Sequence, residues 1–153
     1  MFTVLELSSK VVRHRFPALP EKPTFVKSTP TMSKPLPRPN DMLAAEILIP
    51  STTTAFPTPY LYLSNRNDPS EEGDIISIFA IAERDSLELV TEVRTGLKHV
   101  RGIVFGGVDD RFLIVGGAQG GGVKVYERIN GGKDLQVVAS DATIEAPTGF
   151  LWV

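Results

Sequence analysis

Apolar residues recur at every second position in a series of short runs, at 60–63, 76–81, 87–90, 112–115, 123–126 and 135–138. A two-residue period of this kind marks β-strands, because successive side chains of an extended chain point to opposite faces. Between the runs lie turn formers: Asn67-Asp68-Pro69, Asp109-Asp110, Gly120-Gly121-Gly122 and Asn130-Gly131-Gly132. Such residues supply the positive φ values and missing donors that tight connections need. No segment carries a long, capped 3.6-residue period. The pattern predicts an all-β chain with almost no helix.

The runs repeat. Residues 99–105 align with 146–152 at a shift of 47, and 76–79 align with 123–126 at the same shift. Residues 87–90 meet 135–138 at a shift of 48, and Tyr60 meets Phe112 at 52, the difference being absorbed by an insert around 69–72. A repeat of about 40 to 50 residues holding four strands is the mark of a propeller blade. The predicted fold is therefore a partial β-propeller with two complete four-stranded blades and a split blade. The split blade takes 1–29, with strands at 2–7, 11–16 and 24–29 but no inner strand. A Pro-rich loop follows at 30–42, then a blade at 43–95 and another at 96–141. The remainder, 142–153, is expected to carry a lone closing inner strand at 148–153. A propeller closes with about four to eight blades, so this reading points to upstream blades absent from the sequence. It also points to apolar faces and strand edges left open for self-association.

Composition narrows the function classes. The 153 residues are 42 % hydrophobic and 22 % charged, as in a folded globular chain, and the net charge of -2 offers no basic patch for nucleic acid. No apolar stretch approaches the roughly 18 residues of a membrane helix. The first ten residues lack the basic start and apolar run of a secretory signal, which points to the cytoplasm. Cysteine is absent, which excludes disulfides, thiolate nucleophiles and cysteine metal sites. Two histidines, His14 and His99, cannot make a histidine triad for zinc. Neither a metal nor a cofactor is expected. The glycines at 116–117 and 120–122 join two strands and open no helix, so they read as a hairpin and not as a phosphate cradle. The acidic residues Asp68, Glu71, Glu72 and Asp74 read as a solvated loop face, and His14, between Arg13 and Arg15, as solvent-facing.

Several segments carry a resemblance. Ala44-Ala45-Glu46-Ile47, Tyr62-Leu63-Ser64-Asn65-Arg66, and His99-Val100-Arg101 followed by Arg111-Phe112-Leu113-Ile114-Val115 resemble the lactonase family of seven-bladed propellers. That family includes 6-phosphogluconolactonases and carboxy-cis,cis-muconate cyclases. The Pro-rich loop and the insert at 67–70 are similar to fungal members, and the likeness covers only the C-terminal portion of a family protein. The resemblance implies hydrolysis or formation of a small acidic lactone, or of a sugar-phosphate lactone, at the mouth of the central channel and without a metal. It also implies a histidine from an earlier blade, which has no counterpart here.

By motif, the catalytic candidates are Glu46, Arg66 and Arg101, with His99 as a helper. An acidic lactone needs a cationic clamp, and arginine offers a planar bidentate fork. A partly desolvated Glu46 on an inner strand could act as general base on water or as a proton donor. The scaffold alternatives are an ion pair inside the channel for Glu46, carbonyl contacts for Arg66 and a turn position for His99. The non-catalytic alternative for the whole chain is a truncated propeller that assembles through its open edges.

Overall fold

The computed structural model describes residues 1–18, 20–34, 42–82 and 86–153. Most of the Pro-rich loop, at 35–41, lies outside the described residues. Among the described residues eleven strands form three antiparallel sheets. The first sheet holds β1 (Phe2–Leu5), β2 (Lys10–Arg15) and β3 (Thr24–Pro30) in that order. The second runs β4 (Leu43–Leu48), β5 (Tyr60–Arg66), β6 (Ile75–Ile81) and β7 (Leu87–Arg94). The third runs β8 (Lys98–Gly106), β9 (Phe112–Gly120), β10 (Gly122–Ile129) and β11 (Asp134–Asp141). Among the described residues the helical pieces are single 3-10 turns at Val108–Asp110 and Asn130–Gly132. Among the described residues no helix is long and apolar enough to cross a membrane. The fold is a partial propeller with two complete four-stranded blades and a three-stranded one.

The alternation explains the stacking. In the middle sheet, Tyr60, Tyr62, Ile76 and Ile78 pack toward the third sheet with Val100, Leu113, Val115 and Tyr126. Their neighbours Leu61, Leu63 and Phe79 pack the other way, with Val11 of the first sheet. Each fully buried side chain of this size contributes about 1.5–3 kcal/mol, so both faces of the middle blade hold the stack together. The bulge between Ile78 and Phe79 recurs between Val125 and Tyr126, 47 residues on, at the same point of the next blade.

Three expectations are corrected. Residues 148–153 join no sheet. The tail instead lies across the third sheet, where a Cβ on Gly106 would fall 2.0 Å from the Trp152 ring and one on Gly116 would fall 2.6 Å from Phe150. Trp152 stacks on Phe112 with ring centroids 6.3 Å apart. The tail alternates because its aromatics fill the gaps over glycines, with no ladder partner involved. His14 is half-buried on the central strand β2, edge-on to Phe25 at 6.3 Å. Asp68 and Asp74 are buried, at 6 % and 0 % exposure, because both carboxylates are consumed by loop contacts.

Candidate functional site

The ends of the blades at Arg66 and Lys98 are shaped by irregular backbone. Strand β8 enters with His99 in the left-handed region at φ 59°, a conformation that costs a non-glycine residue about 1 kcal/mol or more. Val100 then pairs with Gly117 and Gly102 with Gly116, leaving Arg101 as the extra residue of a bulge. In β4 the register also slips between Ala44 and Ile47, opposite Ser64, whose Oγ accepts the Glu46 amide at 3.0 Å. Bulges re-aim side chains, and both inner strands carry one where a candidate residue stands.

Asp74 holds this backbone in place. Its Oδ2 accepts the Val100 amide and its Oδ1 the Asp68 amide, each at 2.8 Å. The His99 amide also bonds to it. Burial pushes the carboxyl above its ordinary range, and these amides pull partly against that shift. Asp68 in turn caps the Ser70 amide at 2.8 Å and pairs with Arg94. Thus the loop at 67–74 is tied to the start of β8 by the Asp74 carboxylate and to the end of β7 by that of Asp68.

On this frame, Arg66, His99 and Arg101 come together. An Arg66 Nη1–H lies 3.2 Å from His99 Nε2, and His99 Nδ1 lies 2.7 Å from Asn67 Oδ1. Arginine only donates, so Nε2 accepts and the ring proton sits on Nδ1, donated to Asn67. Burial, then Arg66 and Arg101, hold the imidazole below its ordinary pKa, so it is neutral at pH 7. Burial and the neighbouring Arg101 likewise lower Arg66. The other side of the Arg66 guanidinium pairs with Glu6, from the turn after β1. Arg101 is exposed and makes no hydrogen bond or ion pair among the described residues. Glu46 is exposed rather than partly desolvated, and its carboxylate contacts none of these three. Among the described residues no three histidine or acidic side chains are grouped to hold a metal.

A proton titration of His99 by NMR, assigned with His14→Gln, is expected to show a midpoint below the ordinary imidazole value of 6.5. A midpoint above it would contradict the accepting role of Nε2. Burial is the largest cause of this sign, the two cations add to it, and protonation would also cost the Arg66 bond.

Glu6, Asn67 and Asp74 escape a reading of the sequence alone. Each sits in a turn, where no periodicity marks which side chain points inward. A second unanticipated cluster lies at the opposite ends of the blades. Arg128, 3 % exposed, stacks over Phe56 at 3.9 Å. Its Nε donates to the Tyr62 hydroxyl at 3.0 Å, and its Nη1 to the carbonyls of Asp109 and Asp110 at 3.4 and 3.2 Å. A cleft of about 260 Å³ lies beside it, with the Arg111–Glu127 ion pair on its wall. That cluster fastens the second blade to the third.

Comparisons with known proteins agree with this fold. Three solved structures share the fold, each with a chain much longer than this one. A protein from Lactobacillus plantarum superposes with a TM-score of 0.76 at 19 % identity, over 97 % of this chain and 40 % of its own. A provisional 6-phosphogluconolactonase from Bacteroides fragilis gives 0.74 at 17 %, over 97 % and 37 %. The periplasmic gluconolactonase of Pseudomonas aeruginosa gives 0.73 at 16 %, over 96 % and 37 %. The chain therefore spans well under half the length of these structures. No curated protein matches. Residues 1–152 match the family described as lactonase, 7-bladed beta-propeller. This chain belongs to that family.

Proposed function

We propose that the chain supplies part of a lactonase site for a small acidic lactone, with Arg101 and Arg66 as the anion clamp and His99 as the proton acceptor. The observation that carries this reading is the Arg66–His99 contact with Arg101 beside it. Two adjacent guanidinium groups repel one another, an arrangement that a substrate anion relieves. Arg101 is free to take the carboxylate or phosphate of the substrate. Arg66, turned toward the lactone carbonyl, would stabilise the oxyanion formed when water attacks. That turn also frees His99 Nε2 to receive the proton from water, while Asn67 fixes the tautomer. Glu46, on the bulged inner strand, is the competing base. The same clamp suits the reverse closure of an unsaturated diacid, as in muconate cyclases. In this reading 1–29, 43–95 and 96–141 serve as successive blades and 142–153 as the cover of the last.

The test is hydrolysis of 6-phosphogluconolactone, followed by acid release above the spontaneous rate, with a muconolactone as second substrate. Arg101→Ala is expected to lower kcat/KM about tenfold or more, the value of one charge-assisted hydrogen bond to substrate. Comparing His99→Gln with Glu46→Gln identifies the base, since the true one also removes the acid limb of the pH profile. Folded chain that leaves both lactones at their spontaneous rates would end this reading.

A further inference from the structure

Arg66 already holds an anion. Its guanidinium, only 11 % exposed, pairs with the half-exposed carboxylate of Glu6, which comes from another blade. The Glu6 turn is itself anchored: Ser9 N–H donates to the Glu6 carbonyl at 3.2 Å, and Ser9 Oγ donates to the Met42 carbonyl at 2.6 Å, directly before β4. A carboxylate on an arginine fork is the contact that an acidic substrate would make for itself. Arg101 has no such partner among the described residues. The site thus presents two cations and one internal anion, with one cation open.

We propose that Glu6 is a displaceable internal counter-ion, whose place on Arg66 is taken by the acidic group of a dianionic ligand. This deepens the lactonase reading and rests on its assignment of Arg66 and Arg101 as the clamp. A monocarboxylate satisfies Arg101 alone and leaves Glu6 where it is. A phosphate ester or a dicarboxylate reaches both arginines only by evicting Glu6. Glu6 therefore sets selectivity between the two charge classes: it weakens dianion binding and leaves monoanion binding nearly unchanged. His99 meets a different nitrogen of the guanidinium, so eviction of Glu6 does not itself disturb the Arg66–His99 contact.

The experiment is calorimetric titration of the full chain with 6-phosphogluconate, which carries two acidic groups, and gluconate, which carries one. Glu6→Gln is expected to bind 6-phosphogluconate about tenfold more tightly than the parent chain, since one competing charge-assisted contact has gone. Its affinity for gluconate should change far less. Glu88→Gln makes the same change of net charge at an exposed site on the outer strand β7, and should leave both affinities unchanged. Because Glu6 is half-exposed in a turn, the variant should fold, and an unchanged melting temperature confirms it. Equal or weaker 6-phosphogluconate binding by Glu6→Gln would overturn the proposal and make Glu6 a fixed support for Arg66. So would an equal gain in Glu88→Gln. The readout is independent of turnover: the affinity pattern without lactone hydrolysis would sink the enzyme reading alone, and hydrolysis without the pattern would sink the counter-ion alone.

Discussion

Replacing Arg128 with methionine is expected to lower the stability of the chain by about 3 kcal/mol, the sum of lost hydrogen bonds and cation–π contact less the relief of burying a charge. The parent guanidinium is nearly closed from solvent and joins Tyr62 and Phe56 of the second blade to the 3-10 turn of the third. Methionine keeps much of the apolar volume, so a large cavity does not form. What is lost is the donor set: two carbonyls and a phenol oxygen lose their donor together. Lysine should not rescue the loss. A point-charge ammonium cannot stack on Phe56 and serve these three acceptors at once, and a buried, poorly paired ammonium is costly. Urea midpoints or melting curves of parent, Arg128→Met and Arg128→Lys measure this. For a chain of this size the drop corresponds to about 6–12 °C in Tm. A shift under about 2 °C in both variants would show that the clasp holds nothing.

Arg128 also shows how far the sequence could be read. In the repeat, its counterpart one shift of 47 earlier is Ile81, an apolar residue packed against the core. An arginine standing where the other copy has isoleucine is a legible sign of a buried charge, but a strand-end Glu127-Arg128 pair reads locally as solvent-facing. Strand placement was accessible because β5 and β6 are short apolar runs bounded by turn formers, and the structure buries them on both faces. The tail at 148–153 misled for a related reason. Alternating Phe150 and Trp152 fit strand periodicity, yet the alternation serves glycine gaps over a sheet face. Arg66, His99 and Arg101 were reachable through their motifs on or beside inner strands. Their partners Glu6, Asn67 and Asp74 were not, because a turn residue's inward or outward direction depends on φ values that no pattern of apolar positions encodes.

Asp74 carries the second large effect. Asp74→Ala should cost about 3 kcal/mol or more, because the buried amides of Asp68, Val100 and His99 lose their acceptor together. Asp74→Asn should cost less but not nothing. Its single carbonyl can serve one side, and its amide nitrogen must then face another N–H. The pH dependence separates the carboxylate from the loop. Burial raises the Asp74 pKa, so the folded chain binds this proton more tightly than the unfolded chain does. Its contribution to stability is therefore greatest at acid pH and declines as pH rises from the ordinary carboxylate value of 3.8 through the raised one. In Asp74→Asn that decline should disappear, so the two stability curves converge as pH rises. Curves that stay parallel across this range would mean that the amides cancel the effect of burial, and curves that diverge as pH rises would mean that the amides dominate. A third readout ties the residue to the site. Asp74 sets the backbone on both sides of His99 and Arg101, so Asp74→Asn should shift the His99 ring resonances and weaken binding of 6-phosphogluconate, even under conditions where the chain remains fully folded. A change in stability with neither of these would make Asp74 a support of the blade alone.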